Sequence, residues 1–152
     1  MKALNSLFSV LLASLVAICA IACSGNAQNP SKINVDEDII VAIYPTIDNG
    51  DTVEAISPCL LEDTVHVSEL IHYPGDDGIT IPFNLSDTTK YAEITERNIE
   101  KRIAISINGR VVSTPVVKMK IANGACSVIL PKSQISTIFP TITIEDLNKI
   151  KN

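Results

Sequence analysis

The pair Asn108-Gly109 constrains this chain more than any other feature. Before it, Ile103, Ile105 and Ile107 alternate with Ala104 and Ser106; after it comes a β-rich run over residues 110–121. Alternation of period two marks a strand with one buried face. Asn-Gly accepts the two positive φ angles of a type I′ turn, whose twist matches that of the strands it joins. Residues 103–121 are therefore expected to form an antiparallel hairpin with Gly109 at positive φ, which is incompatible with an all-helical fold.

Other segments fit around that hairpin. Residues 39–44 (IIVAIY) are apolar on both faces, as in a buried strand, and the domain is expected to start near Asp36. IDNGD at 47–51 reads as a turn, 52–56 as a short strand, and 65–71 as a short helical or irregular connection. YPGDDG at 73–78 reads as a loop. Ile79, Ile81, Phe83 and Leu85 then alternate with Thr80, Pro82 and Asn84, giving a half-buried strand. Pro82 lacks an N–H and points to an edge, a bulge or an unpaired position. Ser86 is expected to cap a helix bearing Tyr91, Ile94, Thr95, Asn98 and Arg102 on one stripe, with Lys101 and Arg102 at its C-terminal end. Asn123-Gly124 leads into a strand over 125–130, residues 131–139 read as a short helix, and Thr143 with Asp146 resembles a capping box for a terminal helix up to Ile150. The order implies an α+β fold: a small, largely antiparallel sheet, one main helix packed on it and a short C-terminal helix.

The N-terminus indicates export. Lys2 precedes a run over 4–22 that is almost wholly apolar and ends Ala20-Ile21-Ala22-Cys23. This is a secretory signal, and its last four residues resemble a lipobox, in which the cysteine is acylated and becomes the first residue after cleavage. Cys23 is the expected lipidation site, and Cys19, after the bulky Ile18, a poorer one. An ordinary signal peptide or an uncleaved anchor remain open readings of the same run, which is near the ~20 residues that span a bilayer. The division expected is a signal peptide over 1–22, a flexible tether over 23–35 and one domain over 36–152. Removing Lys2 takes the formal charge from −5 to −6. An acidic chain without Trp and with few aromatics excludes a nucleic-acid partner. Charge is unevenly placed. Residues 33–89 hold twelve acidic residues and no Lys or Arg, whereas 90–152 hold ten basic and five acidic ones. Either the two halves meet within one fold, or they leave a dipolar surface that orients a partner.

No catalytic constellation is present, neither Gly-x-Ser-x-Gly, His-Glu-x-x-His, a phosphate-binding glycine loop nor Cys-x-x-Cys. The chain therefore reads as a non-enzyme without metal or cofactor. His66 and His72 are expected to be surface or partly buried residues. Asp48, Asn49, Gly50 and Asp51 lack the alternate spacing and terminal Glu of a calcium loop. Cys59 and Cys126 are either a disulfide, permitted outside the cytoplasm, or two buried thiols. Asp51-Thr52-Val53, Asp63-Thr64-Val65 and Asp87-Thr88-Thr89 resemble bacterial O-glycosylation sites of the form Asp-Ser/Thr-aliphatic, making Thr52, Thr64 and Thr88 candidates.

Residues 79–139 resemble a known family. Phe83 and Leu85 end a strand, Tyr91-Ala92, Thr95 and Asn98 fall in a helix, and Lys101-Arg102 lead into Ile103-Ala104-Ile105. Asn108-Gly109, Val112, Ser113, Pro115, Ile121 and Gly124 follow in order. This series is similar to the head subdomain of the first periplasmic domain of SecD, the accessory subunit of the Sec translocase, and residues 38–71 fit the part that precedes it. Glu100 stands where the family usually has the glycine that ends the helix, and Asn108 replaces its usual Asp. SecD also carries transmembrane helices that use the proton gradient, so the resemblance is to a binding or moving part and not to the motor. It implies handling of exported or unfolded polypeptide, which with the lipobox at Cys23 gives a non-enzymatic envelope lipoprotein; the alternative is a surface or structural interaction lipoprotein with another ligand. The partners implied are the membrane, through acylated Cys23, and an extended polypeptide or envelope protein. A sheet edge offers unpaired N–H and C=O groups to any extended chain. The segment expected to do so comprises Val111, Val112, Ser113, Thr114, Pro115, Val116 and Val117.

Overall fold

The computed structural model describes residues 29–50 and 52–149. Its organising element is β1 (Ser31–Asp48), eighteen residues long. At its far end the chain turns back into β2 (Val53–Ala55), with the Asn49 amide donating to the Thr52 carbonyl (3.0 Å) and the Gly50 amide to Asp48 Oδ1 (2.9 Å). β3 (Leu61–His72) then runs antiparallel along β1, from Ile43↔Leu61 to Ser31↔His72. β4 (Gly78–Asn84) leads to α1 (Thr88–Arg97), followed by β5 (Ile103–Ile107), β6 (Arg110–Ser113) and β7 (Ala125–Pro131). Two short helices, α2 (Lys132–Ile138) and α3 (Ile144–Asn148), end the described chain.

The strands make one seven-stranded sheet in the order β6-β5-β1-β3-β4-β7, with β2 on the end of β1 and every pairing antiparallel. The fold is α+β. Alternation supplies the core. Ile39, Val41 and Ile43 of β1, Ile79, Ile81 and Phe83 of β4, and Ile103, Ile105 and Ile107 of β5 are buried together with Tyr91 and Ile94 of α1. Ile135, Ile138, Phe139 and Leu147 join the same cluster from the C-terminal helices. Burying one such aliphatic or aromatic side chain contributes about 1.5–3 kcal/mol. The hairpin forms with the expected turn, Asn108 at φ +49° and Gly109 at +79°. Asn108 also extends the β1 ladder, its amide donating to the Ile40 carbonyl (2.8 Å) and its Oδ1 accepting from the Ile40 amide (2.9 Å).

Several expectations are corrected. Residues 31–35, assigned to the tether, are strand, because Ser31 to Asn34 pair with Glu69 to His72. Residues 65–71 are strand rather than a helical or irregular connection. A bulge sets Val35 and Asp36 opposite Ser68, between the pairs Asn34↔Glu69 and Glu37↔Val67. Inward positions on β3 therefore shift from Val65 and Val67 to Leu70 and His72, which breaks the alternation in the sequence. The cap of α1 is Asp87, accepting from the Lys90 amide (2.9 Å), because the Ser86 amide is drawn to Asp63 Oδ2 (2.6 Å). The helix stops at Arg97, before Lys101 and Arg102, and Glu100 takes the left-handed conformation (φ +62°) expected of the family's glycine. The second arm of the hairpin is strand for four residues only, followed by one isolated bridge, Arg102↔Val116. Pro82 lies in a stretch of β4 that pairs with β7 but no longer with β3, whose register with β4 is limited to Ile71↔Thr80. The capping box forms as expected, with Thr143 Oγ1 accepting from the Asp146 amide (3.2 Å) and Asp146 Oδ2 from the Thr143 amide (3.2 Å).

Candidate binding groove

β6 is the last strand on one side of the sheet and β7 the last on the other. Beyond Ser113 the chain leaves the ladder and crosses α1 before returning as β7. Between this crossing segment and β7 lies a groove of about 460 Å³. Its floor is Tyr91 and Thr95 of α1 with Ile103 and Ile105 of β5; residues 115–119 with Ile121 form one wall and residues 125–127 of β7 the other.

The crossing segment is held from inside. Arg102 Nη1 donates to the Thr114 carbonyl (2.8 Å) and the Ile103 amide to the Pro115 carbonyl (3.1 Å). Val117 spends both backbone groups, its amide on the Lys101 carbonyl (2.9 Å) and its carbonyl on the Glu100 amide (2.8 Å). The left-handed turn at Glu100 aims that amide. Thr95 clips the segment further along, its hydroxyl accepting from the Ile121 amide (3.0 Å) while lying 3.0 Å from the Tyr91 carbonyl. Asn98 instead bonds its own helix, donating to the Ile94 carbonyl (2.8 Å). Lys118–Glu100 (3.0 Å) and Lys120–Glu96 (3.1 Å) tie the outer rim, leaving Met119 between them 67% exposed.

The expected binding strand is thus divided. Val111, Val112 and Ser113 lie on edge strand β6, whereas Thr114, Pro115, Val116 and Val117 belong to the groove wall or its approach. Sequence reasoning missed Tyr91, Thr95, Met119 and Cys126 as groove residues. Met119 between two lysines in a β-rich run was the available signal. Tyr91 on the groove floor and Cys126 on the β7 wall line the same groove and influence each other's titration. Burial, reinforced by Cys126, pushes the Tyr91 phenol well above its ordinary range. Burial also raises the Cys126 thiol, partly offset by hydrogen bonds from Tyr91 and the Ser127 backbone. The raised values keep both groups neutral at physiological pH, so this pair adds no charge to the groove.

The remaining candidates are dispersed. Cys23 lies outside the described residues, as does Asp51. Cys59 and Cys126 are both free thiols, Cys59 exposed between β2 and β3 and Cys126 half-buried on β7, so neither the disulfide nor two buried thiols is found. Thr52, Thr64 and Thr88 are all exposed. His66 is an exposed residue facing two carboxylates, Asp38 (3.0 Å) and Asp36 (3.6 Å). His72, expected at the surface or partly buried, is 1% exposed, because the β1 bulge turns it inward; its Nε2 meets the Asp76 carbonyl at 3.0 Å. Among the described residues no three His, Cys, Asp or Glu side chains are arranged to hold a metal ion, and no helix is long and apolar enough to cross a membrane. Arg102–Asp48 (3.7 Å) joins the acidic and basic halves, while the two rim pairs stay within the C-terminal half.

The family model of the SecDF P1 head subdomain matches residues 66–137, from the middle of β3 to the end of α2. The chain carries a SecD P1 head-like domain. Protein translocase subunit SecD of Calditerrivibrio nitroreducens is 32% identical over 116 residues, covering 76% of this chain. The chain spans only 20% of that relative. Two solved structures are also similar. One is SecDF described as a membrane component that enhances protein export (TM-score 0.44, 16% identity, 73% of this chain and 59% of that one). The other is SecDF in a super-membrane-facing form (TM-score 0.41, 17% identity, 72% and 17%). The head-like match includes the groove floor and both its walls, and it contains the family-motif residues from Phe83 to Gly124.

Proposed function

We propose that this protein is a non-enzymatic lipoprotein of the cell envelope whose head-like domain binds exported or unfolded polypeptide. The observation that carries the reading is an edge strand that runs directly into an apolar groove. β6 is hydrogen-bonded to β5 on one side and to no strand on the other among the described residues, although β7 approaches it without pairing. A client strand laid there would gain backbone hydrogen bonds independent of its sequence, and the groove beside it would take apolar side chains. The similarity to a protein translocase subunit supports a client of this kind.

NMR titration of the protein with an unfolded model peptide should shift the amides of Val111, Val112, Ser113, Thr114, Val116 and Val117, and a folded protein should not. Unperturbed amides at millimolar peptide would refute polypeptide handling. Anchoring is tested separately: Cys23→Ala should abolish acylation and leave an unprocessed precursor by mass spectrometry. Exposed Thr52, Thr64 and Thr88 are the proposed O-glycosylation sites, read out as hexose mass on tryptic peptides of the native protein. A specific feature favours an interaction lipoprotein as second reading. The outer face of β1 and β3 carries Asp36, Asp38 and His66 in one exposed cluster, and a single basic partner captured through it, in place of diverse clients, would select that reading.

A further inference from the structure

The start of β1 at Ser31 changes the geometry of anchoring. Only seven residues, Ser24 to Pro30, separate Cys23 from the first paired strand residue. The eight steps from Cys23 to Ser31 span at most about 29 Å whatever their conformation. The sheet end containing Ser31 must therefore lie close to any bilayer that holds acyl chains on Cys23.

That end carries an apolar patch. The register aligns Lys32, Ile71, Thr80 and Ile129 across four neighbouring strands on one face of the sheet, where Ile71 is covered, Thr80 half-buried and Ile129 the exposed apolar member. Ile129 is 60% exposed and lies against the first residue of β4, since a Cβ on Gly78 would stand 2.5 Å from its Cγ2. Tyr73, in the same turn, is 44% exposed. The surrounding charge is balanced: Lys32 pairs with Glu69 (2.8 Å), and Lys132 borders a small cavity with Asp76 and Asp77. Tyrosine, aliphatic side chains and lysine stems suit the interfacial zone of a zwitterionic bilayer, where an apolar body and a wet polar tip are both accommodated.

We propose that this patch, centred on Tyr73 and Ile129, rests on the membrane interface and directs the groove away from the bilayer. The proposal rests on acylation of Cys23. Reach decides between the two ends of the sheet, because Met119 and Val111 near the groove are also exposed. The groove floor residue Ile103 pairs with Pro45, fourteen residues along β1 from Ser31. At ~3.3 Å per residue that is roughly 45 Å of strand, beyond the reach of the tether, so the floor and the crossing segment stand off from the membrane while the β7 wall at Ser127 lies two residues from Ile129. A tether this short also holds the patch near the surface at an effective concentration of about millimolar, so a weak contact is sufficient to be populated. The groove mouth then faces the compartment through which a client would arrive.

The chain contains no Trp, so single reporters are clean. Acylated full-length protein carrying Tyr73→Trp, Ile129→Trp or Met119→Trp is reconstituted in phosphatidylcholine vesicles, with and without brominated phosphatidylcholine. Emission at positions 73 and 129 should shift to the blue and be lost to brominated lipid, while emission at 119 should not. As a check free of mutation, amide exchange of the unsubstituted protein should slow on vesicle binding at Tyr73, 75–78 and 129–130. Protein that floats with vesicles but shows unquenched Trp at 73 and 129, or stronger quenching at 119, overturns the docking and leaves the anchor standing. Protein without acyl mass that fails to float overturns both.

Discussion

Replacing Gly124 with alanine should destabilise the domain by roughly 2–3 kcal/mol, through two separable terms. Gly124 has φ +72°, and a residue with a Cβ pays about 1–2 kcal/mol to stand in that left-handed region. The added Cβ would also lie 2.5 Å from the Leu85 carbonyl oxygen and 3.0 Å from Thr88 Cγ2. The first of these is backbone and has little room to retreat. Moving it strains the bond from the Leu85 amide to the Gly124 carbonyl (3.0 Å), a contact worth about 1 kcal/mol net. Gly109 supplies the control. It has a similar φ, +79°, yet nothing lies within 4 Å of its Cβ direction. Gly109→Ala should cost only the backbone term, and Gly109→Val about 1 kcal/mol or more. Urea unfolding followed by far-ultraviolet circular dichroism measures each difference as a change in midpoint at constant slope. If Gly124→Ala proves no more costly than Gly109→Ala, the close approach of the β7 turn to the end of β4 has been misjudged, and with it the position of one groove wall.

Thr95→Val keeps the shape of the side chain but strips the Ile121 amide of its acceptor, and leaving such a group unpaired costs about 1–3 kcal/mol; faster exchange of the Ile121 amide, with little change at Ile105, is the expected signature. Asp146 has its carboxyl held below the usual range by hydrogen bonds from the Thr143 side chain and then Lys149. A lowered folded-state pKa contributes stability above the unfolded value that is lost as pH falls through the folded one, so acid unfolding should depend on Asp146 and this dependence should vanish in Asp146→Asn. Cys126, with its thiol raised by burial, should react with a thiol reagent at neutral pH more slowly than exposed Cys59; equal rates would contradict its partial burial in the groove wall.

Local chemistry determined a large part of this protein. Asn108-Gly109 specified its turn because two adjacent positive φ angles leave few residue choices, and Thr143 with Asp146 specified a cap because both partners lie within one helical turn. Alternation over 79–85 named the core residues of β4, which keeps one phase along its length; over 103–107 it named only some of the buried residues, because Ala104 and Ser106 are covered on the opposite face of β5. The ordered series from Phe83 to Gly124 was enough to point to the head-like domain. Tertiary structure decided the rest, wherever the cause lay on another element. The β3 phase broke at Ser68 because of an extra residue on β1, which also buried His72. Ser86 lost the cap to Asp87 because Asp63, twenty-three residues earlier, takes its amide. β6 ended at Ser113 because Arg102 and Ile103 claim the carbonyls of Thr114 and Pro115. The groove has the same origin. Its floor and walls come from α1, β5, β7 and the crossing segment, and their convergence depends on long-range pairing that no local sequence pattern records.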